Sequence, residues 1–120
     1  MKTDSRLILV VDDDSRLREA LVAVLEDAGY GVLQASDGTT AVVLTHENPV
    51  SLLVTDLVMP GQEGMETIRH FVKEFPQIPV IAISGNPSYL TMAKALGASA
   101  VLAKPIGRAK LLKAVGDLIG

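Results

Sequence analysis

Residues 7–14 read Leu-Ile-Leu-Val-Val-Asp-Asp-Asp, so that five apolar residues run directly into three acids. Apolar runs of this kind recur along the chain at residues 7–11, 32–35, 51–55, 80–83 and 100–103. Most of them are continuous rather than alternating, which is typical of strands that are covered on both faces of a parallel sheet. The pattern therefore predicts five short, buried strands.

Segments with apolar residues at helical spacing lie between these runs. One such segment ends at Gly29, one ends at Pro76, and one begins after Gly107. Residues 39–47 and 88–96 carry weaker helical patterns. Because right-handed helical crossovers join neighbouring parallel strands, this alternation predicts an α/β fold with five helices on the two faces of a parallel sheet.

The length and composition of the chain exclude several classes of protein. The 120 residues are enough for one domain, so we expect a single domain over residues 1–120. The absence of cysteine excludes a disulfide scaffold, a Cys-based zinc site and a Cys nucleophile. An aromatic content of 3% and a net charge of −3 argue against nucleic-acid binding. The sequence shows no signal peptide or membrane span, so we expect a cytoplasmic location.

Acidic residues follow two of the predicted strands. Asp12, Asp13 and Asp14 come after the first strand, and Asp56 comes after the third. Because ligands of such sheets bind beyond the carboxyl ends of the strands, we expect these acids to lie together. Neighbouring carboxylates raise one another's pKa unless a cation joins them, and Mg²⁺ prefers oxygen ligands. The acids therefore predict a divalent-cation site.

Three further residue types follow the last two predicted strands. Ser84 offers a hydroxyl donor, and Gly85 lets a backbone N–H come close to a ligand. Lys104 offers a positive charge for a phosphoryl oxygen. Together with the acids, these groups predict a phosphoryl-transfer site in which an aspartate is the nucleophile.

Simpler interpretations apply to other polar residues. Asp14 suits the N-terminal cap of the first helix, where an acid interacts favourably with the helix dipole. His46 and His70 are expected to face solvent, and their spacing to carboxylates predicts no zinc site. Taken alone, Asp56 would fit a turn and Lys104 would fit a solvated loop. The prediction of a phosphoryl-transfer site therefore depends on their joint placement at one edge of the sheet.

Four motifs in order resemble the receiver domain of bacterial two-component response regulators, of the chemotaxis-regulator type. They are Leu7-Ile8-Leu9-Val10-Val11-Asp12-Asp13-Asp14, Val54-Thr55-Asp56-Leu57-Val58-Met59-Pro60 with Gly64, Ile83-Ser84-Gly85 and Lys104-Pro105. The resemblance covers essentially the whole chain. It implies a doubly wound, flavodoxin-like sheet of order 2-1-3-4-5 and a signalling phosphoacceptor rather than a metabolic enzyme.

The resemblance assigns the acids specific roles. Asp56 would accept a phosphoryl group from the phosphohistidine of a sensor histidine kinase or phosphotransfer protein. Asp13 would bind Mg²⁺ or Mn²⁺ directly and Asp12 would bind it through water, with the Asp56 carboxylate and the Val58 backbone carbonyl completing the protein ligands. An apolar Val58, two residues after the acceptor, implies slow self-dephosphorylation.

The resemblance also assigns the remaining site residues. Lys104 and Ser84 would each hold a phosphoryl oxygen, Gly85 would offer its backbone N–H, and the Lys104–Pro105 peptide bond would be cis. Movement of Ser84 would switch the face formed by the fourth helix, fifth strand and fifth helix. The family's aromatic switch position holds Val101 here, a departure that shifts the expected signal toward the fourth helix.

Partners and alternatives complete the sequence-based expectations. The resemblance implies the phosphodonor protein, a downstream partner, and a monomer or phosphorylation-linked dimer, with no direct contact to nucleic acid or membrane. One alternative is a phosphatase of the haloacid-dehalogenase type, with Asp12 as nucleophile and Asp14 as acid/base. Another is a degenerate receiver that acts only as an interaction module.

Overall fold

Strands and helices alternate along the chain. The computed structural model describes residues 6–57 and 62–120. The strands are β1 (Leu7–Val11), β2 (Gly31–Ala35), β3 (Leu52–Asp56), β4 (Val80–Ser84) and β5 (Ala100–Ala103). The helices are α1 (Ser15–Asp27), α2 (Gly38–Glu47), α3 (Gln62–Glu74), α4 (Pro87–Leu96) and α5 (Arg108–Ile119). The predicted α/β alternation of five strands and five helices is confirmed.

The strands form one sheet in the order β2-β1-β3-β4-β5, and every neighbouring pair is parallel. This is the order that the resemblance implies. The chain runs from β1 outward to β2, then crosses back to β3 and continues to the opposite edge. The strand order therefore reverses between β1 and β3, and a crevice forms beyond their carboxyl ends.

Each strand contributes to two apolar cores, because alternate residues point to opposite faces of a sheet. In β1, Ile8 and Val10 belong to a core built with α1 and α5. Leu9 and Val11 belong to a core built with α2, α3 and α4. Burial on both faces explains why the inner strands β1, β3 and β4 are nearly continuous apolar runs, whereas the edge strands β2 and β5 are mostly half-buried.

Two strands continue one residue beyond the apolar runs that predicted them. β3 ends at Asp56 and β4 ends at Ser84. Asp56 pairs with Ile83 and Ser84 pairs with Ala103, because the backbone ladder does not depend on side-chain polarity. The expectation that Asp56 and Ser84 follow their strands is therefore wrong by one residue. β2, α2 and α4 each begin one residue earlier than predicted.

Local signals set both ends of α1. The Asp14 carboxylate accepts the backbone N–H groups of Arg16 and Leu17, which confirms Asp14 as the helix cap. Gly29, just beyond the helix, has a φ of 100°, a conformation that favours glycine. Within the described ranges, no helix is both long enough and apolar enough to cross a membrane.

Candidate functional site

Two buried carboxylates meet at the carboxyl ends of β1 and β3. Asp12 directly follows β1 and is 2% exposed, and Asp56 ends β3 and is 7% exposed. The parallel register pairs Val11 with Thr55, so the next residue of each strand is an aspartate. Strand pairing alone therefore places the two carboxylates side by side beneath the crevice.

Among residues 6–57 and 62–120, the Asp56 carboxylate is bound on one side only. Its Oδ2 atom accepts a hydrogen bond from Lys104 Nζ at 3.0 Å, whereas its Oδ1 atom is buried without a hydrogen-bond partner in this part of the chain. Lys104 follows β5, and its backbone N–H donates to the Ser84 carbonyl at 3.0 Å. The Lys104–Pro105 peptide bond is cis, as predicted. The lysine that follows the edge strand β5 thus reaches the aspartate that ends the central strand β3.

Asp12 has the same one-sided arrangement. Its Oδ1 atom accepts the backbone N–H of Asp14 at 2.9 Å, and its Oδ2 atom is buried without a hydrogen-bond partner among the residues that the structure describes. Buried acceptors are ordinarily paired, and each unpaired one costs about 1–3 kcal/mol. Within the described ranges, the site thus contains two carboxylate oxygens that lack a donor.

Burial raises the pKa of both carboxyl groups. It raises the pKa of Asp12 from 3.8 to about 6, against the lowering effect of the Asp14 N–H, and the charges of Asp56 and Asp13 add to the rise. Burial also raises the pKa of Asp56, while the hydrogen bond and charge of Lys104 lower it. A nearby cation would favour the ionised form of each group.

The donor set fits a small, hard divalent cation. Within residues 6–57 and 62–120, no three His, Cys, Asp or Glu side chains come together as a complete ligand group. Mg²⁺ ordinarily uses one or two carboxylates and keeps several waters, so the two unpaired oxygens of Asp12 and Asp56 match its needs. Val58, whose backbone carbonyl the resemblance names as a ligand, lies outside the described residues.

Asp13 lies at the mouth of the crevice, exposed to solvent. The crevice is lined by Asp12, Asp13 and Asp56 together with residues that the sequence analysis did not assign to the site. These additional residues are Val11, Ser36, Asp37, Gly38, Thr55, Glu63, Gly64 and Thr67. Six of the eight come from the β2–α2 turn with the first residue of α2, and from the first half of α3. The expected strand order could have indicated some of these residues. Because β2 lies beside β1, the turn between β2 and α2 lies next to the acids that follow β1.

Ser84 and Gly85 lie at the same edge of the sheet, at the end of β4. Ser84 is 2% exposed, and its Oγ atom accepts the backbone N–H of Asn86 at 3.0 Å. The Ser84 hydroxyl therefore keeps its proton for another acceptor. Gly85 is exposed, and a side chain there would begin to contact Lys104. β4 adjoins β3, so both residues are one strand away from Asp56.

Val101 lies within β5, away from the carboxyl edge. It pairs with Ala82 and packs half-buried against the same core as Tyr89 of α4. The structure thus separates Val101 from the crevice and places it between the sheet and α4.

The two histidines are exposed but not isolated. The side chains of His46 and His70 are 54% and 47% exposed, and both Nε2 atoms face the carboxylate of Glu74. His46 also packs edge-on against Phe75, with ring centroids 5.1 Å apart. The spacing of His70 and Glu74, four residues apart in α3, was a signal for their pairing. No sequence spacing could show that His46 of α2 joins them, because that contact depends on how the two helices pack.

The fold and the crevice agree with the comparisons to known proteins. The family model described as the response regulator receiver domain matches residues 8–116. The chain belongs to this family of receiver domains. It is a receiver domain of two-component signalling, and nothing in the comparisons supports the haloacid-dehalogenase alternative. The geometry does not support it either, because the Asp14 carboxylate is used to cap α1.

Three relatives illustrate the match. An NtrX-like response regulator of Rickettsia bellii is 33% identical over 109 residues, covering 88% of this chain and 23% of that protein. The CAI-1 autoinducer sensor kinase/phosphatase CqsS of Vibrio cholerae is 34% identical over 115 residues, covering 92% of this chain and 17% of that protein. The chain therefore spans less than a quarter of the length of these two relatives.

The third relative is a solved structure. It is the receiver domain of the sensor histidine kinase PA1611 of Pseudomonas aeruginosa, described with a magnesium ion coordinated in its active-site cleft. Its TM-score is 0.86 at 26% identity, with 98% of this chain and 99% of that chain covered. Both the fold and the family are thus shared with receivers of response regulators and of sensor kinases.

Proposed function

We propose that Asp56 is the phosphoacceptor of this receiver domain. One observation carries the proposal: the buried Asp56 carboxylate has one oxygen paired with Lys104, while its other oxygen and one oxygen of Asp12 have no partner in the described part of the chain. A buried nucleophile between an ammonium and a cation site has the positive charge that a transferring phosphoryl group requires.

The proposed transfer forms one bond and breaks one. An oxygen of Asp56 attacks the phosphorus of a phosphohistidine, and the P–N bond breaks. The electron pair goes to the imidazole nitrogen, which then takes a proton from solvent. Lys104 holds one phosphoryl oxygen with its ammonium, Ser84 donates its hydroxyl to another, and the backbone N–H of Gly85 lies close by. The products are an acyl phosphate on Asp56 and a free histidine.

Magnesium, or manganese, is the proposed cofactor. Asp12, Asp13 and Asp56 would hold it together with the backbone carbonyl of Val58. When bound, the ion supplies positive charge that neutralises the carboxylates and the phosphoryl oxygens. Asp12 and Asp56 would hold the ion through the two carboxylate oxygens that have no hydrogen-bond partner among the described residues.

The phosphoryl donor is proposed to be a sensor histidine kinase or a phosphotransfer protein. Phosphorylation would draw Ser84 toward the acceptor and alter the face formed by α4, β5 and α5, with Val101 beneath α4. The domain would act as a cytoplasmic signalling module over residues 1–120, monomeric or dimerising on phosphorylation. It would catalyse only its own phosphorylation and slow dephosphorylation, and would not bind nucleic acid or membrane directly.

Intact-mass spectrometry after incubation with Mg²⁺ and acetyl phosphate tests the proposal. We expect a phosphoryl adduct on the wild type and on Asp117→Asn, a control that removes an exposed carboxylate of α5. Asp56→Asn should carry no adduct, and Asp12→Asn should form it more slowly. Fragmentation should locate the group on Asp56. An adduct that persists in Asp56→Asn would contradict the proposal, and no adduct from either acetyl phosphate or a phosphorylated kinase would favour the degenerate receiver.

A further inference from the structure

Arg18 lies in the first turn of α1 and contacts the loop that carries the acids. Its Nη1 atom donates to the backbone carbonyl of Asp12 at 2.6 Å, and its Nε atom donates to Gln34 Oε1 at 3.0 Å. Gln34 belongs to β2. The planar guanidinium has several donors in a fixed arrangement, so one side chain links the β1–α1 loop to the neighbouring strand.

Asp12 is held at three points, and Arg18 provides one of them. The Asp12 backbone N–H donates to the Ala35 carbonyl at 3.1 Å, and the Asp12 Oδ1 atom accepts the Asp14 N–H at 2.9 Å. The Arg18 guanidinium holds the Asp12 carbonyl. With these three contacts made, Oδ2 is the one polar atom of Asp12 that has no partner within residues 6–57 and 62–120, and it is buried at the crevice.

We propose that Arg18 is a positioning residue, which fixes the β1–α1 loop so that Asp12 presents its unpaired oxygen to the cation site. The identity of the cation rests on the proposed function, whereas the contacts that fix the loop do not depend on it. Residues that orient a metal ligand without touching the metal commonly alter its affinity by about 10-fold to 100-fold.

Removal of Arg18 should change the Mg²⁺ affinity in opposite directions, depending on whether Arg18 positions Asp12 or acts only through its charge. Arg18 is a cation near a cation site, so if it acted only through its charge, its removal would tighten Mg²⁺ binding. If it positions Asp12, its removal weakens binding despite the lost repulsion. Arg18→Lys sharpens the distinction, because it keeps the charge and loses the fork that reaches both Asp12 and Gln34.

Two measurements on the whole chain test the proposal. Calorimetric titration with Mg²⁺ should give about tenfold weaker binding in Arg18→Gln and at least as large a loss in Arg18→Lys, which loses the fork but keeps the charge that repels the ion. Hydrogen exchange of the Asp14 amide, followed by NMR without Mg²⁺, should become about tenfold faster in Arg18→Gln, as expected for a weakened hydrogen bond. Arg16→Gln is the matched control, because it removes the same charge from an exposed residue of the same turn, and it should leave both readouts unchanged.

Unchanged or tighter Mg²⁺ binding in Arg18→Lys and Arg18→Gln would overturn the proposal, and so would unchanged exchange at Asp14. The proposed function fails separately, through a wild-type protein that takes no phosphoryl group or binds no Mg²⁺. In that case the exchange at Asp14 alone decides the role of Arg18. Thermal unfolding of each variant shows whether the fold is retained, and we expect it to be, since Lys and Gln are good helix formers.

Discussion

Leu53 and Asp56 belong to the same strand and are both buried, but their surroundings differ. Leu53 is fully buried among apolar side chains of the α2, α3 and α4 side. Asp56 has one oxygen paired with Lys104 and one that has no partner among the described residues. We call the fully apolar part of the strands the apolar middle, and we call Asp12, Asp56, Ser84 and Lys104 the carboxyl edge.

The two regions contribute to stability with opposite sign. Burying an apolar side chain in the middle stabilises the fold by about 1.5–3 kcal/mol. A buried carboxylate oxygen without a donor costs about 1–3 kcal/mol, so the edge destabilises the ligand-free protein. The edge therefore gains stability from whatever supplies a proton or a cation. This dependence is typical of a functional site, whereas the middle is complete without a ligand.

The largest expected effect comes from the apolar middle. Ile81 of β4 is 0% exposed, so Ile81→Ala should lower the free energy of unfolding by about 2–5 kcal/mol through lost burial and a cavity. Urea unfolding monitored by circular dichroism measures the change. The matched control Ile81→Val should cost only about 0.5–1.5 kcal/mol. Equal losses for the two variants would show that the middle is less tightly packed than its burial indicates.

The carboxyl edge should make the metal-free protein less stable as pH rises. Asp12 has a pKa of about 6 in the fold and 3.8 as its ordinary value, so the folded state holds a proton that the unfolded chain releases between these values. The contribution of Asp12 to stability should fall by about 3 kcal/mol from pH 4 to above pH 6. Its cost is absent below pH 3.8, where Asp12 is protonated in both the folded and the unfolded state. The difference between wild type and Asp12→Asn, measured by urea unfolding in EDTA, isolates this change.

Asp37 provides a control of opposite sign for the pH experiment. The Thr40 backbone N–H lowers the pKa of Asp37, which caps α2. Asp37 therefore stabilises the fold above its ordinary pKa of 3.8, and this contribution is lost as pH falls through its lower folded value. A difference curve for Asp12→Asn that slopes in the same direction as that for Asp37→Asn would contradict the destabilising role of Asp12.

A tight contact beside the carboxyl edge should have an intermediate effect. A side chain at Gly38, the first residue of α2, would overlap Thr67 Oγ1 on α3. Thr67 is buried, and its hydroxyl donates to the Glu63 carbonyl at 3.0 Å, so it has little room to move. Gly38→Ala should therefore cost about 1–3 kcal/mol in the free energy of unfolding.

A double-mutant cycle tests the cause of the Gly38 effect. Thr67→Ala removes the overlapping oxygen, so the double variant should lose less stability than the sum of the two single variants. Strict additivity would mean that Gly38 is required for another reason. The result would show whether the α2 and α3 ends that line the crevice are as closely packed as the middle of the sheet.

Sequence reasoning predicted the parts of the molecule that depend on strand ends. Asp12, Asp56 and Lys104 could be placed together because the carboxyl ends of parallel strands share one edge, whatever lies between them in sequence. The extension of β3 through Asp56 could not be predicted from hydrophobicity, because backbone pairing with Ile83 sets it. The approach of Gly38 to Thr67 depends on how two helices dock, which no local pattern encodes.

Mg²⁺ should stabilise the carboxyl edge and leave the apolar middle unaffected, and this is the smallest effect we predict. At a concentration ten times its dissociation constant, a ligand that binds only the folded state adds about 1.4 kcal/mol. That corresponds to a rise of roughly 4–8 °C in the melting temperature of a chain of this size, measurable by differential scanning calorimetry. The melting temperature of Ile81→Val should rise with Mg²⁺ as much as that of the wild type, since Ile81 lies outside the site.

The melting temperature of Asp12→Asn should rise less, because this variant lacks one of the two unpaired carboxylate oxygens. An equal gain in Asp12→Asn would mean that the ion binds elsewhere. The stability of the carboxyl edge would then not depend on Mg²⁺, and this difference from the apolar middle would disappear.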